Sequence, residues 1–341
     1  MNKLTTIGID LAKNLFALVA FKPSGQELWH RNLRRRQLLR FLAKQPPCHV
    51  AMEACAGAHY WGREIMKLGH SVSLLPPQHV KCYQRGQKNN PNDARAIAEA
   101  SQHGKVRPVR VKTLEQQDEQ LLGDLCRQIT QDQTRLINQV RALLAEYGIV
   151  IPRGPAALYR TIPELLEDGE NGLTERLRLV LYRQHQRLLA LREERDGYER
   201  QLKAQAHQDE VCGRLMEVPG IGPIVSGVLK GWMGDGKQFR RGRDASAALG
   251  LVPRQHSSGD YQQLLGITKH GDRYVRSQVV HGARSVARWA KGKSDPLSQW
   301  INRLVATRGF NKATVALANK LVRIAWVIIA RGEHYQPRAT V

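Results

Sequence analysis

Acidic residues are scarce in this chain: 30 Asp and Glu stand against 53 Lys and Arg in 341 residues, a formal net charge of +23. An excess of that size repels cationic partners and favours polyanions, nucleic acid above all. Cysteine is also sparse. Cys48, Cys55, Cys82, Cys126 and Cys212 are odd in number and never fall at Cys-x-x-Cys spacing. That excludes a disulfide framework and a zinc ribbon and suits a reducing compartment. The twelve histidines show no His-x-x-x-His pair, so no transition-metal site is expected. Aromatic residues make up 6% of the chain and are not periodic as in an RNA-recognition sheet; Trp289, Trp300 and Trp326 read as core or interface. No apolar segment resembles a signal peptide, and none approaches the roughly 18 residues of a membrane span. The expectation is a soluble cytoplasmic protein with no membrane partner.

The length allows roughly two domains of about 150 residues, each with a buried core. The first third alternates. Strands are expected over Leu4 to Ile9, Leu15 to Phe21 and from Glu27 to about Asn32, the last two joined by the turn Lys22-Pro23-Ser24-Gly25. A basic helix follows over about Arg35 to Lys44, then a strand from His49 to Met52. A helix from about His59 to Leu68 and a strand from Ser71 to Leu75 complete the set. A three-strand meander followed by alternating helices and strands fits a mixed α/β sheet of the ribonuclease H type.

Three acids stand at the ends of these elements. Asp10 closes the first strand, Glu53 follows His49-Val50-Ala51-Met52, and Asp93 opens a helix after Lys88-Asn89-Asn90-Pro91-Asn92. Carboxylates carried to one place by separated segments can hold a divalent metal ion for phosphodiester chemistry. Helix capping is the competing account for the third acid. It makes Asn90 the N-cap, Pro91 the first helical residue and Asp93 an N3 acid favoured by the helix dipole. Cap and ligand are compatible roles.

From about Leu114 to Gln208 apolar residues recur at three- and four-residue spacing, among them Leu121, Leu125, Ile129, Leu136, Val140 and Leu144. Pro152, Pro155 and Pro163 interrupt the pattern, which restarts at Leu177. Two long helices around a Pro/Gly-rich tip read as an antiparallel coiled-coil arm, or as ordinary bundle helices. The remaining residues are compact and basic: 215 to 341 hold 20 Lys and Arg against 7 Asp and Glu. Within them, Glu217-Val218-Pro219-Gly220-Ile221-Gly222-Pro223 leads into the apolar helix Ile224 to Leu229. This is either a helix-hairpin-helix, in which Gly220 and Gly222 bring the backbone close to a phosphate, or a plain turn. Arg254, His256, Ser257, Ser258 and Gly259 form a polar loop in which Ser258 is either a turn residue or a nucleophile beside phosphate-stabilising groups. The loop Lys269-His270-Gly271-Asp272 feeds a basic amphipathic helix with Arg273, Arg276, Arg284 and Arg288, a face suited to tracking phosphates.

Taken together, Ile7-Gly8-Ile9-Asp10, Met52-Glu53-Ala54-Cys55-Ala56-Gly57, Lys88-Asn89-Asn90-Pro91-Asn92-Asp93-Ala94-Arg95 and the run from Pro219-Gly220-Ile221-Gly222 to Ser258-Gly259 resemble the DEDD transposases. These are the recombinases of the insertion-sequence-110 family, and Glu53 to Trp61 resembles its 1111 subgroup. The resemblance runs from about residue 5 to about residue 330. It implies a bacterial, nucleoid-associated recombinase with a RuvC-like domain over 1–113, a coiled-coil arm over 114–208 and a mostly helical transposase domain over 209–341. It also implies that Asp10, Glu53 and Asp93 hold Mg2+, and that Ser258 attacks a DNA phosphate to form a covalent phosphoserine link. Its partners would be DNA, a structured noncoding guide RNA and further copies of the chain, as a dimer or tetramer. The third acid of the family's tetrad falls on Asn90, an amide that can coordinate a cation but brings no charge. A pilin-type DNA invertase, a RuvC-like junction nuclease and an inactive nucleic-acid-binding copy are the alternatives.

Overall fold

The computed structural model describes residues 6–85, 89–104 and 106–337, so Leu4, Thr5 and Lys88 of the segments above lie outside the described residues. The chain divides into two compact units, Met1–Glu115 and Gln116–Val341.

Among the described residues, the first unit has five strands and four α-helices. They run β1 (Thr6–Asp10), β2 (Leu15–Phe21), β3 (Glu27–Arg34), α1 (Leu38–Leu42), β4 (His49–Glu53), α2 (Ala58–Lys67), β5 (Ser71–Leu75), α3 (Pro77–Val80) and α4 (Asn90–Gln102). The sheet order is β3-β2-β1-β4-β5. β1, β2 and β3 pair antiparallel, as a meander must, and β4 and β5 continue from β1 in parallel through helical crossovers. The mixed α/β sheet is therefore as expected, consistent with a ribonuclease H-like fold. The basic helix is shorter than expected: Arg35–Gln37 is a 3-10 turn, closed by Gln37 Oε1 accepting from Arg34 N at 2.8 Å, and only Leu38–Leu42 is α-helical.

Strand alternation gives the sheet two different faces. On one, Ile7, Ile9, Val50 and Met52 pack with Leu38, Leu42, Trp61 and Ile65 of α1 and α2. On the other, Ala17, Val19 and Phe21 meet Ala94 and Ala98, and Ala51 meets Ala96, Ile97 and Ala100, all from α4. The alanines let α4 lie very close to the sheet.

The second unit is almost entirely helical. It comprises α5 (Leu114–Ala145), whose first two residues count with the first unit, α6 (Pro155–Glu167), α7 (Glu175–Gln208), α8 (Glu210–Met216), α9 (Pro223–Met233) and α10 (Gly242–Ala248). The hairpin β6 (Pro253–Ser258) and β7 (Tyr261–Ile267) follows, then α11 (Arg273–Arg288), α12 (Pro296–Arg308) and α13 (Phe310–Arg331). The Pro/Gly-rich tip between the two long helices contains a helix of its own, α6. Pro155 starts that helix and Pro163 lies inside it. Arg178 closes it by donating to the carbonyls of Leu165, Leu166 and Asp168. Leu136, Val140 and Leu144 of α5 share a core with Leu158 and Ile162 of α6 and Leu177, Leu181 and Leu188 of α7. Arg195 of α7 reaches Gln133 of α5 at 3.1 Å, so the two long helices run antiparallel.

A second core joins α8 through α13. Its central helix, α13, corrects the expectation of no span-length apolar run. It is long and apolar enough by composition to cross a membrane, although half of its apolar window is buried inside the unit.

Candidate functional site

The face on which each acid lies follows from its neighbours. Since Ile7 and Ile9 point toward α1 and α2, Gly8 and Asp10 point toward α4; likewise Val50 and Met52 leave Ala51 and Glu53 on the α4 face. β1 and β4 are parallel neighbours with Ile9 opposite Met52, so Asp10 and Glu53 end adjacent strands side by side. The chain then turns sharply, with Cys55 N donating to Glu53 O at 2.9 Å. Partial desolvation pushes the Cys55 thiol above its ordinary value, and the charges of Glu53 and Asp10 push it further, which keeps it protonated rather than nucleophilic.

Asp93 lies one residue before the point where α4 crosses β1. A Cβ placed on Gly8 would overlap the Ala94 carbonyl and stand 2.7 Å from Ala98 Cβ, a separation no side chain tolerates. Gly8 thus sets how closely the helix carrying Asp93 seats on the strand carrying Asp10. Asp93 Oδ1 accepts from Gln84 Nε2 at 2.9 Å.

The capping account needs a shift of one residue. The N-cap is Asn89, whose side chain accepts from Asn92 N at 2.9 Å; Asn90 is the first helical residue and Pro91 the second. Proline is tolerated there because the amide it lacks would have no partner inside the helix anyway. Asp93 therefore sits one residue beyond the N3 site, still in the first turn where the helix dipole favours an acid.

Asp10 and Glu53 are brought together by the strands, and Asp93 sits on the helix covering the same face. Among the described residues, no group of three or more His, Cys, Asp or Glu is drawn close enough to hold a metal ion. The donor chemistry, three carboxylates with no thiolate or imidazole among them, fits a hard divalent cation.

Ser258 is placed differently from expectation. Rather than lying in a polar loop, it is the last residue of β6 in an exposed two-stranded hairpin. A two-residue turn, Gly259-Asp260, joins the strands. Gly259 has φ +53° while Asp260 stays at negative φ, the backbone of a type II′ turn. Ser258 pairs with Tyr261 and His256 with Gln263, so these four side chains share one face of the ribbon. Ser257 belongs to the other face, where Gln255 Nε2 donates to its hydroxyl at 3.1 Å. Two-residue alternation across a Gly-Asp turn would have shown Tyr261 and Gln263 as companions of Ser258. Arg254 lies where the register shifts between Pro253 and Gln255.

The root of the hairpin is firmly held. Thr268 N donates to Val252 O at 2.9 Å, Lys269 N to Gly250 O at 3.1 Å and Asn319 Nδ2 to Leu251 O at 3.1 Å. Lys269 has the unusual φ of +58°. Arg276, expected on a phosphate-tracking face, instead donates through Nη1 to His270 O at 2.8 Å and Leu249 O at 3.2 Å, and burial lowers its pKa. It braces the hairpin root. Arg254 and Arg273 are exposed.

The two glycines of the Pro219-Gly220-Ile221-Gly222 turn also part ways. Gly220, at φ +92°, would drive a Cβ to 2.8 Å from Val286 and 3.0 Å from the Gly282 carbonyl; its role is close packing on α11. Gly222 faces open space and is the N-cap of α9, the position from which a backbone can approach a phosphate.

Comparison with known proteins gives the context for these features. Residues 7–149 match the family model of DEDD transposases, and residues 212–298 match that of the transposase IS116/IS110/IS902 family. The chain is similar to the transposase for insertion sequence element IS1111A of Coxiella burnetii, at 41% identity over 98% of this chain and 92% of that one. A probable family 20 transposase of Pseudomonas aeruginosa is 40% identical, with 98% and 99% covered, and the transposase for insertion sequence element IS1328 of Yersinia enterocolitica is 40% identical, with 97% and 98% covered. The chain belongs to the IS110 family of insertion-sequence transposases, enzymes that recombine DNA.

Proposed function

We propose that this transposase cuts and rejoins DNA through a phosphoserine intermediate at Ser258, with Mg2+ bound by Asp10, Glu53 and Asp93 and with a structured noncoding RNA choosing the sites. The observation that carries this reading is the seating of Asp10 and Glu53 side by side at the ends of parallel strands, beneath the helix that bears Asp93. A divalent cation bound there supplies charge neutralisation at a phosphate. Asp10 and Glu53 would supply carboxylate oxygens from strand ends, and Asp93, whose Oδ1 accepts from Gln84, would supply the third.

At the hairpin, the Ser258 oxygen gives up its proton and forms a bond to phosphorus as the bond to one strand end breaks, that end leaving as a hydroxyl. Attack by a different strand hydroxyl reverses the step, so the strands rejoin without an external energy source. Tyr261 and His256 share the ribbon face of Ser258, and in this reading they would hold the phosphate or the proton. The reading includes a RuvC-like domain over 1–113, a coiled-coil arm over 114–208 that assembles a dimer or tetramer, and a transposase domain over 209–341 with a helix-hairpin-helix at Gly220 and Gly222. Arg254, Lys269 and Arg273 would contact nucleic acid, and Arg276 would act by holding the hairpin.

The test is a denaturing gel of DNA incubated with protein, Mg2+ and RNA copurified from cells carrying the flanking locus. Wild type and Ser257→Ala should give protein-linked DNA and Ser258→Ala none. An adduct that survives Ser258→Ala removes the serine from the chemistry, and hydrolysed ends without any adduct favour the junction nuclease.

A further inference from the structure

We infer that the second unit carries a groove for unpaired nucleotides of a nucleic-acid strand, with Trp289 as its stacking platform, a site that builds on the nucleic-acid reading above. Trp289 was expected in a core or an interface. It is 73% exposed at the C-terminal end of α11, whereas Trp326 is buried and donates its indole N–H to Gly236 O at 3.0 Å. A cleft of about 370 Å3 lies against Trp289, lined also by Gly220 and Lys293. It shares Pro219, Asp295 and Leu297 with a larger cleft of about 1060 Å3, so the two adjoin beside the Pro219-Gly220-Ile221-Gly222 turn.

The larger cleft is cationic. Arg241, Arg243, Lys320 and Arg323 line it, and Lys320 Nζ stands 4.6 Å above the Trp300 ring. Two acids, Asp295 and Glu333, also line it, the second paired with Arg331 at 3.6 Å, and Arg241 pairs with Asp244 at 3.6 Å, so the lining stays positive on balance. Cations that track a backbone beside an aromatic face that stacks on a base are the two elements of single-strand recognition. A duplex keeps its base faces stacked on one another, so Trp289 discriminates for unpaired nucleotides.

The test uses full-length protein and fluorescein-labelled 12-nucleotide DNA, RNA of the same sequence, and a blunt duplex, read by anisotropy. Trp289→Ala should weaken single-strand binding roughly 5- to 100-fold, the worth of one stacked base, and leave duplex binding unchanged. Trp289→Phe should restore most of it. Paired Arg243→Gln and Arg323→Gln changes should weaken single-strand binding and lower its salt dependence by about two charges. The ratio of DNA to RNA affinity then identifies which strand the groove takes. Equal losses on strand and duplex, no loss with Trp289→Ala, or displacement of the strand by a poly-glutamate peptide at equal charge would each overturn the proposal. Binding is measured without cleavage, so a missing Ser258 adduct leaves this result standing.

Discussion

Replacing Gly8 by alanine tests whether the fit between β1 and α4 governs the carboxylate site. Gly8 has a negative φ, so alanine is conformationally acceptable and would by itself stabilise the chain by about 0.5–1 kcal/mol through the unfolded state. Packing opposes this. The new methyl would stand 2.7 Å from Ala98 Cβ and 2.9 Å from Ala98 N, and would overlap the Ala94 carbonyl. Carbon atoms rest about 3.5–4.0 Å apart, so α4 must lift by about 1 Å. Overpacking of this kind costs about 1–3 kcal/mol, and two of the three atoms met are backbone and cannot rotate away. The net expectation is a loss of about 1–2 kcal/mol, or a melting temperature lower by roughly 4–8 °C. The functional loss should be larger, because displacing Asp93 by about 1 Å from Asp10 and Glu53 can cost about 100-fold in rate. Adding Ala98→Gly removes one of the three contacts and should return part of the activity while costing about 1 kcal/mol of helix stability. The assays are thermal unfolding by circular dichroism and Mg2+-dependent DNA strand transfer. A Gly8→Ala protein that melts within 1 °C of wild type and reacts within twofold of its rate would refute the reasoning.

Three further changes probe other positions. Asn90→Asp puts a charged donor at the start of α4 and should tighten Mg2+ binding about tenfold by titration calorimetry; an unchanged affinity would place residue 90 outside the site. Gly282→Ala would overlap the Gly220 carbonyl. It should lower the stability of the second unit by about 1–3 kcal/mol and speed amide exchange at Ile221 and Gly222, and normal exchange would show that the turn does not depend on α11. Burial first, then the charges of Lys112 and Arg63, lower the pKa of His59 to about 4. Between about pH 6.5 and 4 the unfolded chain therefore binds the proton that the folded chain refuses, so stability should fall as pH drops through that window and stay flat above it. His59→Gln should reduce the slope of the denaturant midpoint against pH without abolishing it, since burial also lowers the pKa of His49 and His185, and an identical slope would remove His59 as a source.

Strands that cover a core were legible in the sequence, and those that cover nothing were not. Leu15–Phe21 and Ser71–Leu75 fall where expected because strands that meet a core carry short apolar runs, and Leu15–Phe21 is apolar throughout because both of its faces are covered. The hairpin carrying Ser258 has both faces exposed, and its glutamines, serines and histidine follow no apolar alternation. Only the Gly-Asp turn marked it. α6 was hidden for another reason: proline punctuates most sequences, yet Pro155 starts this helix and Pro163 lies inside it. The roles of Gly220 and Arg276 depend on residues 62 and 27 positions away, Gly282 and Leu249, which no local pattern displays.

The carboxylates and the serine are held by contrasting means, and this bears on how the chemistry is controlled. Asp10 and Glu53 leave strands buried on both faces, so their spacing is set by the sheet and changes only if the fold does. Ser258 lies at the far end of a ribbon anchored at its root, and Tyr261 and Leu264 of the same ribbon are 62% and 68% exposed. A two-stranded ribbon without a packed face is marginal by itself in water. In the reading proposed above, nucleic acid covers the ribbon and steadies it, as suits a chain of charge +23. On the reading proposed above, a serine on this ribbon depends on seated substrate for its setting, whereas the sheet fixes the spacing of Asp10 and Glu53 beforehand.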